Sequence, residues 1–276
     1  MRGPVTITGF ADEIAADGGE QIDGLLAAGV RHVEVRALGG TNVLDLSDDE
    51  TAAFRRRLED AGIAVSSVGS PIGKTPIRSD LEAHFARFRI ALRRADQLGC
   101  RFVRVFSFRH EGEEAEQVRG EVLGQMRRMT DAAAEAGITL VLENESRIYG
   151  DVPERCADLI ESVGSPHLRG LVDPANFVTC GCDPLQAWER LADHVVWFHI
   201  KDKVAASDRV VPAGHGDGEV EAILGDALDR GFSGFLSIEP HLRANDPDFG
   251  GTGAERFAIA TAALRRVLDR LGAREA

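Results

Sequence analysis

Basic residues are in short supply: 32 Lys and Arg stand against 45 Asp and Glu, a formal net charge of −13. That balance argues against a nucleic-acid partner, because such proteins carry a basic stripe. The one arginine-rich stretch, with Arg87, Arg89, Arg93 and Arg94, lies in an amphipathic helical segment and reads as a solvated face. No run of eighteen apolar residues occurs, so no helical membrane span is expected. The opening Met1-Arg2-Gly3-Pro4-Val5-Thr6-Ile7 enters a strand pattern at once. It lacks the apolar core and small-residue cleavage site of a secretory leader. Cysteine is scarce, and Cys100, Cys156, Cys180 and Cys182 form no paired CxxC sets. A structural zinc ribbon is therefore not expected, and the four read as reduced thiols of a cytoplasmic protein. Nor does a Pro/Gly/Ser-rich linker divide the chain, so residues 1–276 read as one domain. A domain of that length buries about three quarters of its unfolded surface.

What recurs is a phrase: an amphipathic helix, a glycine, then a short β-branched run. It appears as Leu25-Leu26-Ala27-Ala28-Gly29 before Val33-Glu34-Val35, and as Leu58-Glu59-Asp60-Ala61-Gly62 before Ile63-Ala64-Val65. Gly99, Gly137 and Gly231 precede further runs at Phe102-Val103-Arg104-Val105, Ile138-Thr139-Leu140-Val141 and Phe235-Leu236-Ser237-Ile238. Glycine suits a helix end because positive φ costs it nothing. The short apolar run reads as a parallel strand buried on both faces. With the weaker units, eight strands are predicted near 5–9, 32–36, 63–68, 102–107, 138–143, 169–173, 195–200 and 234–239. Helices are predicted at 19–28, 48–61, 79–98, 114–136, 153–163, 184–193, 219–230 and 254–271. Eight alternating units imply an α/β fold, a single (β/α)8 TIM barrel. An open doubly wound sheet is the alternative, but Gly9-Phe10-Ala11-Asp12-Glu13 lacks its glycine fingerprint.

Barrel chemistry sits at the C-terminal ends of the strands. The fifth strand ends Leu142-Glu143-Asn144, the sixth Val172-Asp173-Pro174, the seventh Phe198-His199-Ile200 and the eighth Ile238-Glu239-Pro240. Four consecutive strands thus each deliver one metal-capable group at the same height. Three carboxylates and one imidazole form an oxygen-rich set that suits one divalent ion, Mn²⁺, Mg²⁺, Co²⁺ or a catalytic Zn²⁺. Without a cation, carboxylates crowded into an apolar mouth cost several kcal/mol per unpaired charge.

At these residues the sequence resembles the sugar isomerase/epimerase superfamily of xylose isomerase-like barrels, which includes inosose isomerase, hydroxypyruvate isomerase and the ketose 3-epimerases. The phrases that carry the likeness are Val33-Glu34-Val35-Arg36, Leu142-Glu143-Asn144, Leu171-Val172-Asp173-Pro174-Ala175-Asn176, Phe198-His199-Ile200-Lys201-Asp202, Arg209-Val210-Val211-Pro212-Ala213-Gly214-His215-Gly216 and Leu236-Ser237-Ile238-Glu239. The resemblance implies that Glu143, Asp173, His199 and Glu239 bind the metal, that Glu143 and Glu239 form the acid/base pair, and that Arg209 contacts substrate. Family epimerases and the more distant endonuclease IV usually carry a histidine three residues after the metal aspartate. Asn176 stands there instead. That departure weakens the 3-epimerase reading and removes a histidine that a trinuclear zinc nuclease needs.

The expected chemistry is proton transfer on a small sugar or keto-polyol. A metal-polarised carbonyl acidifies the neighbouring C–H, and one glutamate removes a proton from the enediolate-forming carbon while the other returns it. The same intermediate could expel a β-substituent, so the alternative is a lyase or dehydratase on a 3-keto-sugar, a 3-keto-glycoside or a keto-inositol. A non-catalytic sugar-binding subunit is the third reading, and the retained glutamate pair speaks against it. Further substrate contacts are expected from Arg36, Lys74, His110, Asn176, Lys201 and His215. Glu34 with Arg36 reads equally as an ion pair on the barrel floor. Lys201 and Asp202 read as groups that orient the ligands. The loop Gly214-His215-Gly216-Asp217-Gly218 lacks a Walker-type lysine and gives no ground for a phosphorylated substrate. Trp188 and Trp197 read as core. A homo-oligomer is compatible with this reading, although no exposed apolar patch shows in the sequence.

Overall fold

The helix–glycine–strand phrases become successive βα units in a computed structural model that describes residues 3–276. Met1 and Arg2 of the opening stretch lie outside the described residues. The eight barrel strands are β1 (Pro4–Gly9), β2 (His32–Val35), β3 (Ala64–Val68), β4 (Phe102–Val105), β5 (Thr139–Glu143), β6 (Leu168–Val172), β7 (Val195–Ile200) and β8 (Phe235–Ile238). The helices are α1 (Gly18–Ala27), α2 (Asp48–Asp60), α3 (Leu81–Leu98), α4 (Ala115–Glu135), α5 (Pro153–Val163), α6 (Pro174–Thr179), α7 (Pro184–Leu191), α8 (Val220–Asp229) and α9 (Gly253–Arg270). Each expected element appears within two residues of its expected ends. The short helix α6 was not foreseen, nor were two small hairpins, Ala37–Leu38 with Thr41–Asn42 and Asp202–Val204 with Arg209–Val211.

Local chemistry explains where the helices begin and end. Asp17 accepts hydrogen bonds from the N–H groups of Gly19 and Glu20 at the start of α1. Ser47 with Glu50 and Thr252 with Glu255 form reciprocal capping boxes on α2 and α9. Gly29, Gly62 and Gly99, the glycines of the repeated phrase, have φ of 69°, 69° and 75°. Those are left-handed conformations that a side chain would strain.

All eight strands run parallel, in the order β2-β3-β4-β5-β6-β7-β8-β1, and Arg274–Glu275 adds a ninth, short strand beside β1. The sheet is curled, and β2 closes against β1 by packing. No ladder joins that pair among the described residues. Thr8 on β1 reaches Ser66 on β3 across the seam, oxygen to oxygen at 2.7 Å. At the N-terminal end of the barrel, Trp197 stacks on Phe235 at 4.4 Å and meets Phe102 at 5.3 Å. Trp197 is fully buried there, with Phe102 and Phe235 partly buried around it. This aromatic floor stands opposite the rim at which the strands end. No helix among the described residues is long and apolar enough to cross a membrane.

Candidate metal centre

Four strand ends converge at the C-terminal rim. Glu143 closes β5, Asp173 follows β6, His199 lies in β7 and Glu239 follows β8. Each offers a ligand atom, and these atoms all lie within 4.8 Å of one another. The local sequence explains their aim. Asp173 is the N-cap of α6, with Pro174 in the first turn, so its Oδ1 accepts the Asn176 N–H at 3.2 Å and Oδ2 is left facing the cluster. His199 sits in register with Ser237 on β8. Its Nε2–H donates to Glu34 Oε2 at 3.2 Å, and Ser237 Oγ donates to the same oxygen at 2.9 Å. Nδ1 is thereby turned to the cluster, 3.2 Å from Glu143 Oε1 and 3.6 Å from Glu239 Oε2.

Cations brace the carboxylates. Arg104, inside β4, lies 3.2 Å from Glu143 Oε2 and also donates to the carbonyls of Gly69 and Ser70. Arg36 touches Glu239 Oε1 at 3.2 Å while holding Asp12 and Glu13. Lys201 Nζ lies 2.6 Å from Asp173 Oδ2 and 2.7 Å from Glu239 Oε2. Burial raises the Glu143 carboxyl, but His199 and Arg104 outweigh it and bring it down to about 2. Burial also opposes the ionised Glu239, which Lys201 and His241 nevertheless hold well below the usual range. Asp173 goes the other way: burial lifts it to about 7 against the pull of Lys201. Burial would lower His199, yet Glu143 and Glu34 raise it to about 10. The imidazole is thus drawn to carry a proton where a dication could stand.

The donor set fits a divalent ion. His199 Nδ1 is buried and has no hydrogen-bond partner, and Asp173 Oδ2, equally buried, is met by the Lys201 ammonium at 2.6 Å. An unpaired buried polar atom costs about 1–3 kcal/mol, and an ion shared by the four side chains would satisfy His199 Nδ1. Above the cluster opens a cleft of about 290 Å³, walled by Arg36, Asn42, Gly69, Pro71, Lys74, Arg104, Glu145, Lys201 and His241 together with Glu143 and Glu239. Of the four converging side chains only the two glutamates line it. A larger hollow of about 350 Å³ near the start of β3, beside Arg55 and Glu59, holds no such cluster.

The other expected site residues divide. Arg36, Lys74 and Lys201 line the cleft, and Lys74 reaches Glu145 at 2.9 Å across its mouth. Asn176 stands behind the ligands, where its Nδ2 donates to Asn144 O at 2.9 Å and Glu143 Oε1 at 3.3 Å. His110 bonds the Glu113 carbonyl, and His215 packs edge-on against Phe249. Arg209 is held by Asp246 and Asp248, tying the 202–211 hairpin to the loop after β8. None of these last three lines the cleft. Glu34 pairs with His199 and not with Arg36. Asp202 does not orient the ligands but accepts the N–H groups of Gly214, Gly216 and Gly218. The glycine-rich loop therefore wraps a carboxylate. Arg104, Glu13 and His241 were not singled out from the sequence. An arginine inside the apolar run Phe102-Val103-Arg104-Val105 was the one signal available.

A family model described as xylose isomerase-like TIM barrel matches residues 22–266. The chain is 25% identical over 195 residues to a probable L-ribulose-5-phosphate 3-epimerase, UlaE, of Mycoplasma pneumoniae, covering 66% of this chain and 61% of that protein. It is 26% identical over 145 residues to a fructoselysine 3-epimerase of Escherichia coli O157:H7, covering 50% of this chain and 52% of that one. The chain thus spans little more than half the length of the curated relatives it matches. Among solved structures it resembles IOLI protein with a binding zinc atom (TM-score 0.79, 15% identity, 97% and 99% of the two chains). It also resembles the probable 3-DHS dehydratase AsbF of Bacillus anthracis (0.76, 16%, 95% and 98%). A third is a xylose isomerase-like TIM barrel protein of Mycobacterium smegmatis in complex with magnesium (0.68, 20%, 96% and 98%). At these identities the structural likenesses speak for the fold.

Proposed function

The chain belongs to the xylose isomerase-like TIM barrel family, and on that premise we propose that it is a divalent-metal-dependent isomerase or epimerase of a small sugar or keto-polyol. The observation that carries this reading is that Glu143 and Glu239, alone among the four clustered side chains, open onto the cleft. They project from β5 and β8, with two strands between them, and so reach a bound molecule from two sides. A divalent ion held by Glu143, Asp173, His199 and Glu239 would supply Lewis acidity toward a carbonyl and its neighbouring hydroxyl. One glutamate accepts the proton from the carbon beside that carbonyl and the other returns one to the same or the adjacent carbon. Both are held ionised at neutral pH. Carboxylates so stabilised are weak bases, which is why the C–H must first be acidified. Arg36, Lys74 and Asn42 on the cleft wall offer donors for sugar hydroxyls. The 3-epimerase names of the two curated relatives support proton exchange beside a ketone.

The test is a panel of ketoses and inososes incubated with the protein and Mn²⁺ in D₂O. Deuterium should enter the recovered or isomerised sugar, only with metal present, and no fragment should be lost. Glu239→Gln should abolish exchange while keeping some metal, and His199→Ala should lose both. Release of water or an aglycone would move the assignment to a lyase, and full exchange by either variant would remove the site.

A further inference from the structure

We propose that Lys201 is a built-in counter-cation that holds the metal centre together when empty and weakens its grip on the ion. The inference rests on the four-ligand reading above. Three cations touch the carboxylates, but they touch different oxygens. Arg104 meets Glu143 at Oε2 and Arg36 meets Glu239 at Oε1. The inner oxygens, those facing the imidazole, are Glu143 Oε1 and Glu239 Oε2, 3.2 and 3.6 Å from His199 Nδ1. Asp173 has a single oxygen left for the cluster, Oδ2, because Oδ1 caps α6. The Lys201 ammonium lies on two of these three inner oxygens, at 2.7 Å from Glu239 Oε2 and 2.6 Å from Asp173 Oδ2. It is 7% exposed, so water screens it little.

An ammonium in that position does two things. With no ion bound, it draws the carboxylates of β6 and β8 together and offsets charges that would otherwise repel in a dry site. With a dication bound to the same oxygens, it stands close to a second positive centre and loses part of that attraction. Lys201 therefore stabilises the empty site more than the filled one. By linkage, whatever stabilises the empty form weakens binding by the same factor. The arginines sit on the outer oxygens, where they brace the glutamates without competing for the ligand positions.

The test compares wild type with Lys201→Met, which keeps the unbranched apolar stem and removes the charge, and Lys201→Gln, which keeps N–H donors without charge. Each is purified with Mn²⁺, stripped by chelation, and titrated with Mn²⁺ calorimetrically, with melting recorded in both forms. Both variants should bind Mn²⁺ at least about tenfold more tightly, because a unit charge near a dication acts strongly even at an effective dielectric of about 20. Their empty forms should melt lower than wild type, while the Mn²⁺-loaded forms melt close to it. A variant that folds only with Mn²⁺ gives the same answer in its extreme form. Equal or weaker binding in both variants, or an empty form that melts no lower, overturns the proposal. Wild type that binds no Mn²⁺ overturns the metal centre itself, which separates the two failures.

Discussion

Removing the Glu34 carboxylate should cost both fold stability and metal affinity, in amounts the geometry sets. Glu34 is fully buried, and its Oε2 accepts two hydrogen bonds, from His199 Nε2–H and Ser237 Oγ–H. Glu34→Ala leaves both donors buried without partners, at about 1–3 kcal/mol each. It also opens space in the barrel, so the total should reach about 3–6 kcal/mol. That is a large part of the about 5–15 kcal/mol that holds a typical domain folded. Glu34→Gln keeps an acceptor oxygen in place and should cost only about 1–2 kcal/mol. The ring of His199 presents Nδ1 to the cluster because Nε2–H is fixed on the other side. Alanine should therefore weaken Mn²⁺ binding by about 10–100-fold, and glutamine by less. Urea denaturation of the metal-free proteins gives the first quantity and Mn²⁺ titration the second. An alanine variant as stable as wild type, or one that binds Mn²⁺ equally well, would refute the reasoning.

Two further outcomes concern the surroundings of the site. His84 accepts the Gly73 N–H at Nε2, 3.0 Å away, and so must stay neutral there; burial lowers it to about 4. The unfolded chain takes up that proton near pH 6.5. Stability should therefore fall as pH drops from about 6.5 toward 4, by about 1 kcal/mol at pH 5 once solvent screening is allowed for. Denaturation at pH 7.5 and pH 5 should show this loss shrinking in His84→Asn, and an unchanged loss would contradict it. A Cβ at Gly216 would stand 2.5 Å from Asp202 Oδ1 and from the Lys203 carbonyl, whereas one at Gly124 in α4 meets nothing within 4 Å. Gly216→Ala should destabilise by about 1–3 kcal/mol, and Gly124→Ala should stabilise by up to about 1 kcal/mol. Equal melting temperatures for the two would refute the packing described around Asp202.

The strands and the four converging residues were legible because both follow from chain-local rules. A glycine with φ near +70° ends the helix, a β-branched run follows, and the last residue of that run stands at the rim. Partners across the barrel obey no such rule. Glu34 inside β2 and Arg36 just past its end read as a pair, and residues two apart share a strand face, yet each finds a different partner: Glu34 meets His199 and Arg36 meets Glu239. Arg104 escaped notice because its function depends on Gly69 and Ser70 carbonyls in another loop. The resemblance points Arg209 to substrate, and His215 of the glycine-rich loop reads as a further contact, but Asp246, Asp248 and Phe249, from a loop some thirty-five residues on, take hold of them. The helix α6 was missed because its six residues are too short for a periodic pattern to emerge, although Asp173-Pro174 carries its capping signal.

Anomalous diffraction from crystals grown with Mn²⁺ tests the metal centre most directly. One strong peak should appear about 2–2.3 Å from His199 Nδ1 and from one oxygen each of Glu143, Asp173 and Glu239. Glu13, Glu239 and His241 form a second group whose ligand atoms lie within 4.8 Å of one another. A peak held by that group, or none at His199, would contradict the assignment.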